Sequence, residues 1–174
     1  MPKSNTVDAY LLLGTNLGDR TALLNQALDE IAREIGNISK TSSIYETAAW
    51  GDESQPSYLN AAIAVTTSLQ PLRLLERAND IEKRLGRERA VKWEARPIDI
   101  DILLYGDRII DEPLLQIPHP HLPIRRFALV PLQEIAPHFV HPIYRKSITE
   151  LLGETPDRLP VRHYKTDTYE RHEL

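Results

Sequence analysis

Cysteine is missing from all 174 residues, which excludes disulfides and thiolate metal sites and suits a reducing compartment. Long apolar runs are missing as well. No stretch approaches the roughly 20 residues of a membrane span, and the apolar part of MPKSNTVDAYLLLG is too short for a signal peptide. A soluble, cytoplasmic protein without membrane contact is expected. Aromatic residues are sparse at 6% and the formal charge is −4, so the exposed aromatics on a basic face that an RNA-binding module needs are not on offer. No nucleic-acid partner is expected, and any anionic ligand needs a local basic cluster. The Gly-containing GTNLGD (14 to 19) lacks both the spacing and the lysine of G-x-x-x-x-G-K-[ST], which excludes a P-loop and leaves Gly14 and Gly18 as turn residues.

What is present is an ordinary globular pattern, 41% apolar, long enough for one domain with a real core. Val7 to Leu13 reads as a strand, and Asp19 as the N-cap of a helix whose Leu24, Ala27, Leu28, Ile31 and Ile35 recur at helical spacing until Gly36-Asn37. ISKTSSIYETA (38 to 48) and YLNAAIAVTTSL (58 to 69) read as two strands pairing across the polar WGDESQPS. Pro71 opens a second helix that Gly86 closes, with Glu82 unexpectedly on its apolar side. A strand follows from Asp99. Strand, helix, strand, strand, helix, strand is the order of the split βαβ arrangement, so the expected class is α+β: a ferredoxin-like antiparallel sheet with helices packed on one face. YGDRII turns into a short strand, and the Pro- and His-rich stretch 117 to 142 adds a C-terminal extension around a short helix. The core is expected over about 7–152 of a single 1–174 domain, with a loosely packed charged tail over 153–174.

The chemistry concentrates in ARPIDIDILLYG (95 to 106). Side chains alternate along a strand, so Asp99 and Asp101 share one face, with Leu103 and Tyr105 continuing it, while Ile98, Ile100, Ile102 and Leu104 share the other. Two carboxylates about 7 Å apart repel unless a cation lies between them. Hard oxygen ligands on a rigid strand suit magnesium, which takes one or two carboxylates and completes its shell with water and phosphate. Just upstream lie Arg87, Arg89, Lys92, Trp93 and Arg96. Guanidinium forks bind phosphate oxygens, so this stretch describes a polyphosphate site. His119, His121, His138 and His141 raise zinc, but without cysteine or an HExxH helix a single histidine touching a nucleotide is the better reading.

LLLGTNLGDR, SSIYETAAWG, QPSYLNAA, IEKRLGR, ARPIDIDILLYG and IPHPHLPIRRFALVPLQEIAP together resemble the 6-hydroxymethyl-7,8-dihydropterin pyrophosphokinase family of folate biosynthesis, in order and spacing, from about Ala9 to Leu152. The resemblance implies a ferredoxin-like fold and transfer of pyrophosphate from ATP, the co-substrate, to the pterin hydroxymethyl group with release of AMP. It implies that Asp99 and Asp101 hold two magnesium ions (Mg2+) and that Arg87 and Arg96 stabilise the phosphates, with Arg89 and Lys92 nearby. Glu82, His119 and Arg125 would contact nucleotide. Trp93 and Phe127 would sandwich the pterin, with Asn60 on its polar edge and Thr47, Ala48, Trp50 and Tyr58 lining the pocket. A monomer is expected. Glu94-Ala95, Ala48-Ala49 and Pro97 depart from the family's usual Gly-Pro, Pro-Pro and Thr, and the basic loop is about one residue short. The rivals are another metal-dependent nucleotide-using transferase on the same fold and an RNA-binding module of the same topology.

Overall fold

The computed structural model describes residues 5–16, 18–47, 57–87 and 97–164, and of Arg87 only the helical backbone. β1 (Val7–Thr15) leads to α1 (Arg20–Glu34), β2 (Asn37–Thr41), β3 (Tyr45–Thr47) and β4 (Tyr58–Thr67). There follow α2 (Pro71–Arg87), β5 (Asp99–Tyr105), β6 (Ile110–Glu112) and β7 (Leu115–Ile117), then a 3-10 turn at Leu122–Ile124. α3 (Arg126–Ile135), α4 (Ile148–Glu154) and β8 (Arg162–His163) complete the elements of the described residues. The main sheet is antiparallel in the order β5-β1-β4-β3-β8, with β2 also on β4, while β6 and β7 form a separate hairpin.

Local chemistry explains the boundaries. The Asp19 side chain accepts from the Ala22 amide and starts α1. The chain then turns at Gly36, where a Cβ would run into the Thr66 carbonyl of the adjoining strand. Ser147 and Glu150 form a reciprocal capping box on α4.

Helices cover both faces of the sheet, not one. Leu11, Leu13, Leu59, Ile63 and Val65 pack against Leu24, Leu28 and Ile31 of α1 and Leu74, Ala78 and Ile81 of α2. On the other side Leu12, Ala62, Ala64 and Leu103 meet Ala128, Leu129 and Leu132 of α3 and Ile148 and Leu151 of α4. The Pro- and His-rich stretch therefore supplies a second layer. Its physical cause is the apolar patch of Leu12, Ala62 and Ala64, which would otherwise face water. Part of the charged tail also adheres: β8 pairs with β3.

The expected alternation along β5 breaks at its end. Tyr10 pairs with Leu104 but Leu11 with Ile102, so Leu103 is an extra residue, a β-bulge. Ile98, Ile100 and Ile102 face α1 and α2, whereas Leu104 joins Leu103 on the α3 side and Tyr105 crosses to the α1–α2 side.

Candidate active site

One end of the sheet, on the face that α3 shares, collects polar side chains beside the apolar middle of that face formed by Leu12, Ala62 and Ala64. Asp99, Gly14, Asn60 and Tyr45 stand in register across β5, β1, β4 and β3, and Thr47 pairs with Tyr58 two residues further on, on the same face. Asp101 pairs with Leu12, which belongs to the α3-side core, so both aspartates look toward that layer. Both are half-buried. Asn60 is buried and its Nδ2 donates to the Leu13 carbonyl at 3.3 Å. Gly14 is more than a turn residue: it lies within β1, and a Cβ there would come within 2.6 Å of the Asn60 amide nitrogen. Two buried atoms at this end, Asn16 Oδ1 and Thr47 Oγ1, have no hydrogen-bond partner among the described residues. Such atoms are costly unless something fills them, which suits a ligand's polar edge.

A second group runs along the outer edge of β5. The amide between the two aspartates, Ile100 N, donates to Glu82 Oε2 at 2.8 Å, which explains a carboxylate on the apolar side of α2. Further along, the His119 amide donates to the Leu103 carbonyl at 3.0 Å. Glu82, Asp101, Gln116 and His119 line one cavity of about 380 Å³. The His121 amide donates to His119 Nδ1 at 3.1 Å, so the neutral ring keeps its proton on Nε2. Burial, then the positive charges of Arg125 and His121, push the His119 pKa down to about 4. His119 is thus a neutral donor at physiological pH.

Arg125 and Phe127 open onto a different cavity, of about 930 Å³, with the guanidinium 5.6 Å from the ring centroid. Ala48, Trp50, Arg89, Lys92, Trp93 and Arg96 lie outside the described residues, and Arg87 ends α2. The structure therefore brings Asp99 and Asn60 into one row and Asp101, Glu82 and His119 around one cavity. Sequence reasoning missed Gly14, Asn16 and Gln116. The polar residues Asn16 and Gln116 could have been found only through their neighbours in space, and Gly14 only through the partner across the strand.

The carboxylates also pass a test for magnesium. Among the described residues no cluster of three acidic or histidine side chains forms. Two partly exposed carboxylates on a rigid strand match an ion that fills its remaining positions with water and phosphate.

Residues 10–137 match the family described as 7,8-dihydro-6-hydroxymethylpterin-pyrophosphokinase (HPPK). The chain belongs to the HPPK family. It is 46% identical to a protein of Aquifex aeolicus over 145 residues, 83% of this chain and 90% of that one. It is 39% identical to one of Haemophilus influenzae, over 90% of this chain and 98% of the other. Both carry the name 2-amino-4-hydroxy-6-hydroxymethyldihydropteridine pyrophosphokinase. Among solved structures, wild-type Plasmodium falciparum HPPK-DHPS superposes with a TM-score of 0.70 at 19% identity, over 88% of this chain and 45% of that longer one. That likeness speaks to the fold alone. The HPPK match contains every predicted site residue and ends before α4 and the segment leading to β8.

Proposed function

We infer that this HPPK-family chain transfers pyrophosphate from ATP to 6-hydroxymethyl-7,8-dihydropterin, releasing AMP, in folate biosynthesis. The observation that carries the reading is the Asp99–Asp101 pair, with Asp99 in register through Gly14 with Asn60 and Asp101 sharing a cavity with Glu82 and His119. Family membership and the names of relatives 39 to 46% identical support it. The sheet order β5-β1-β4-β3 supports reading the core as ferredoxin-like, with the Pro- and His-rich stretch 117 to 142 as an extension on it. A cytoplasmic monomer without nucleic-acid partner completes the proposal.

In the reaction the pterin hydroxymethyl oxygen forms a bond to the β-phosphorus. The bond from that phosphorus to the α–β bridging oxygen breaks, AMP leaves with the electron pair, and the hydroxyl proton passes to solvent. Such transfers depend on positioning and charge compensation. Asp99 and Asp101 would hold two Mg2+ ions, which when bound screen the charge of the triphosphate as it meets the attacking oxygen. Arg87 and Arg96 would stabilise charge on the transferred group, with Arg89 and Lys92 beside them. Neutral His119 would donate Nε2–H to the nucleotide, which Glu82 on the same cavity and Arg125 on the other one would also contact. Thr47, Tyr58 and Asn60 would read the pterin's polar edge, together with groups at Ala48 and Trp50, and Trp93 and Phe127 would stack on it. The test is incubation with ATP, magnesium and the pterin. AMP release that requires the pterin is expected, and AMP release independent of it would refute the proposal.

A further inference from the structure

The cavity of about 930 Å³ beside Arg125 and Phe127 is lined in part by a turn of the tail, Pro156 to Leu159, well beyond the span that matches the family. That turn is pinned. Asp157 Oδ2 accepts from the Arg126 amide at 2.8 Å and Oδ1 from the Leu159 amide at 3.0 Å, while Arg126 Nε donates to the Leu159 carbonyl at 3.3 Å. The turn is therefore seated on the start of α3, the same turn of helix that presents Phe127 and, just before it, Arg125. Asp157 is the sole carboxylate among the described residues of the lining, and both its oxygens are occupied by backbone amides. The remaining charged or chargeable groups of the wall are His121, Arg125 and the exposed Arg158. In a chain of net charge −4, this is a local concentration of positive charge. His119 already registers it, since Arg125 and His121 contribute after burial to holding its ring neutral.

We propose that Arg158 is a further polyphosphate-binding residue, forming with Arg125 a pair of guanidinium groups that line one cavity from two separate elements. The assignment rests on the pyrophosphokinase reading above. Guanidinium groups bind phosphate oxygens through paired N–H donors, and two such groups on separate elements suit a chain of phosphates better than a single anion. The same chemistry is carried by the triphosphate of ATP and by the diphosphate of the pterin product. A residue on a charged tail becomes part of the site because Asp157 fixes the backbone on either side of it.

The full chain with magnesium is titrated calorimetrically with a non-hydrolysable ATP analogue, with the pterin diphosphate product and with the unphosphorylated pterin. Arg158→Ala is expected to weaken at least one phosphorylated ligand by about fivefold or more, as loss of a charge-assisted contact does, and to leave the pterin unchanged. Weakening toward the analogue assigns Arg158 to the nucleotide, weakening toward the product assigns it to the transferred group, and Arg158→Lys should recover part of either. Equal binding of both phosphorylated ligands by parent and Arg158→Ala overturns the assignment, as does an equal loss for the pterin, which marks a merely structural turn. Pterin-dependent AMP release by the parent keeps the two claims apart: an active parent with an indifferent Arg158→Ala sinks this inference alone, whereas an inactive parent sinks the underlying reading.

Discussion

The two faces of the sheet are built from the same strands and serve opposite ends. On the α1–α2 side, Leu13, Leu59, Ile63, Ile98 and Ile100 extend the apolar layer along the strands to the end where the site lies. On the α3 side the apolar layer stops after Leu12, Ala62 and Leu103, and Asp99, Asp101, Asn60, Tyr58 and Thr47 take over. One residue's step along a strand thus separates the apolar core from the proposed site. The α1–α2 face can be judged by what it excludes, and the α3 face by what it leaves unpartnered among the described residues, as with Asn16 Oδ1 and Thr47 Oγ1.

The largest effect should separate these roles completely. Asp99→Ala or Asp101→Ala is expected to lower pterin-dependent AMP release by about a thousandfold, since on the proposed reading the metal that compensates the reacting phosphates loses a carboxylate ligand, with an unchanged melting temperature. Near-normal turnover in either variant would break the division. The converse substitution lies on the dry face. Leu28→Ala, at a residue 1% exposed, should cost about 2–5 kcal/mol in denaturant unfolding while the folded fraction keeps its kcat. Gly14→Ala tests the seam between the faces, because its methyl group would displace the Asn60 amide. The expected outcome is a higher KM for the pterin with the KM for ATP little changed, and equal shifts in both would deny Asn60 its role.

A smaller effect concerns how α3 is fastened. Glu134 accepts from the Ser43 amide at 3.0 Å and from the Tyr45 hydroxyl at 2.6 Å, so Glu134→Ala should cost about 1–2 kcal/mol and leave the Tyr45 hydroxyl without this acceptor. The smallest is the dependence on pH. His119, held down to about 4 from 6.5, and His141, lowered by burial, are both neutral in the folded chain at pH 7. On acidification the unfolded chain takes up these protons first, so the stability each neutral ring contributes is full above about 6.5 and falls below it, in the case of His119 as pH falls toward 4. Denaturation midpoints at pH 7 and pH 5 should show that loss, and His119→Asn should reduce it.

Much of the comparison was legible in the residues alone. Period-2 and helical patterns located the strands and both large helices, and the aspartate pair declared itself because charge at a strand's beginning has no reason in packing. Membership of HPPK followed from motif order. The rest was not legible because it rests on pairs far apart in the chain: Asn60 with Leu13, 47 residues away, Thr15 with Pro97, 82 away, and Arg126 with Asp157, 31 away. Glu82 looked misplaced on its helix because its partner is a backbone amide of β5, which no side-chain pattern reveals. The second helical layer was hidden for the same kind of reason, since Ala62 and Ala64 alone do not say what covers them.

The bulge at Leu103 gives β5 two phases, and the strand can be seen as a lever fixed at both ends. Before the bulge its aspartates face α3; after it Tyr105 faces the opposite layer and its hydroxyl donates to the Leu69 carbonyl at 2.7 Å, just before α2 begins. Some turns later the same helix returns Glu82 to the amide between the aspartates. Helix and strand therefore close a ring tied at two points, and the extra residue is the length adjustment that lets both ties be made at once. A strand of perfect alternation would have to give up either the tyrosine anchor or the direction of the carboxylates.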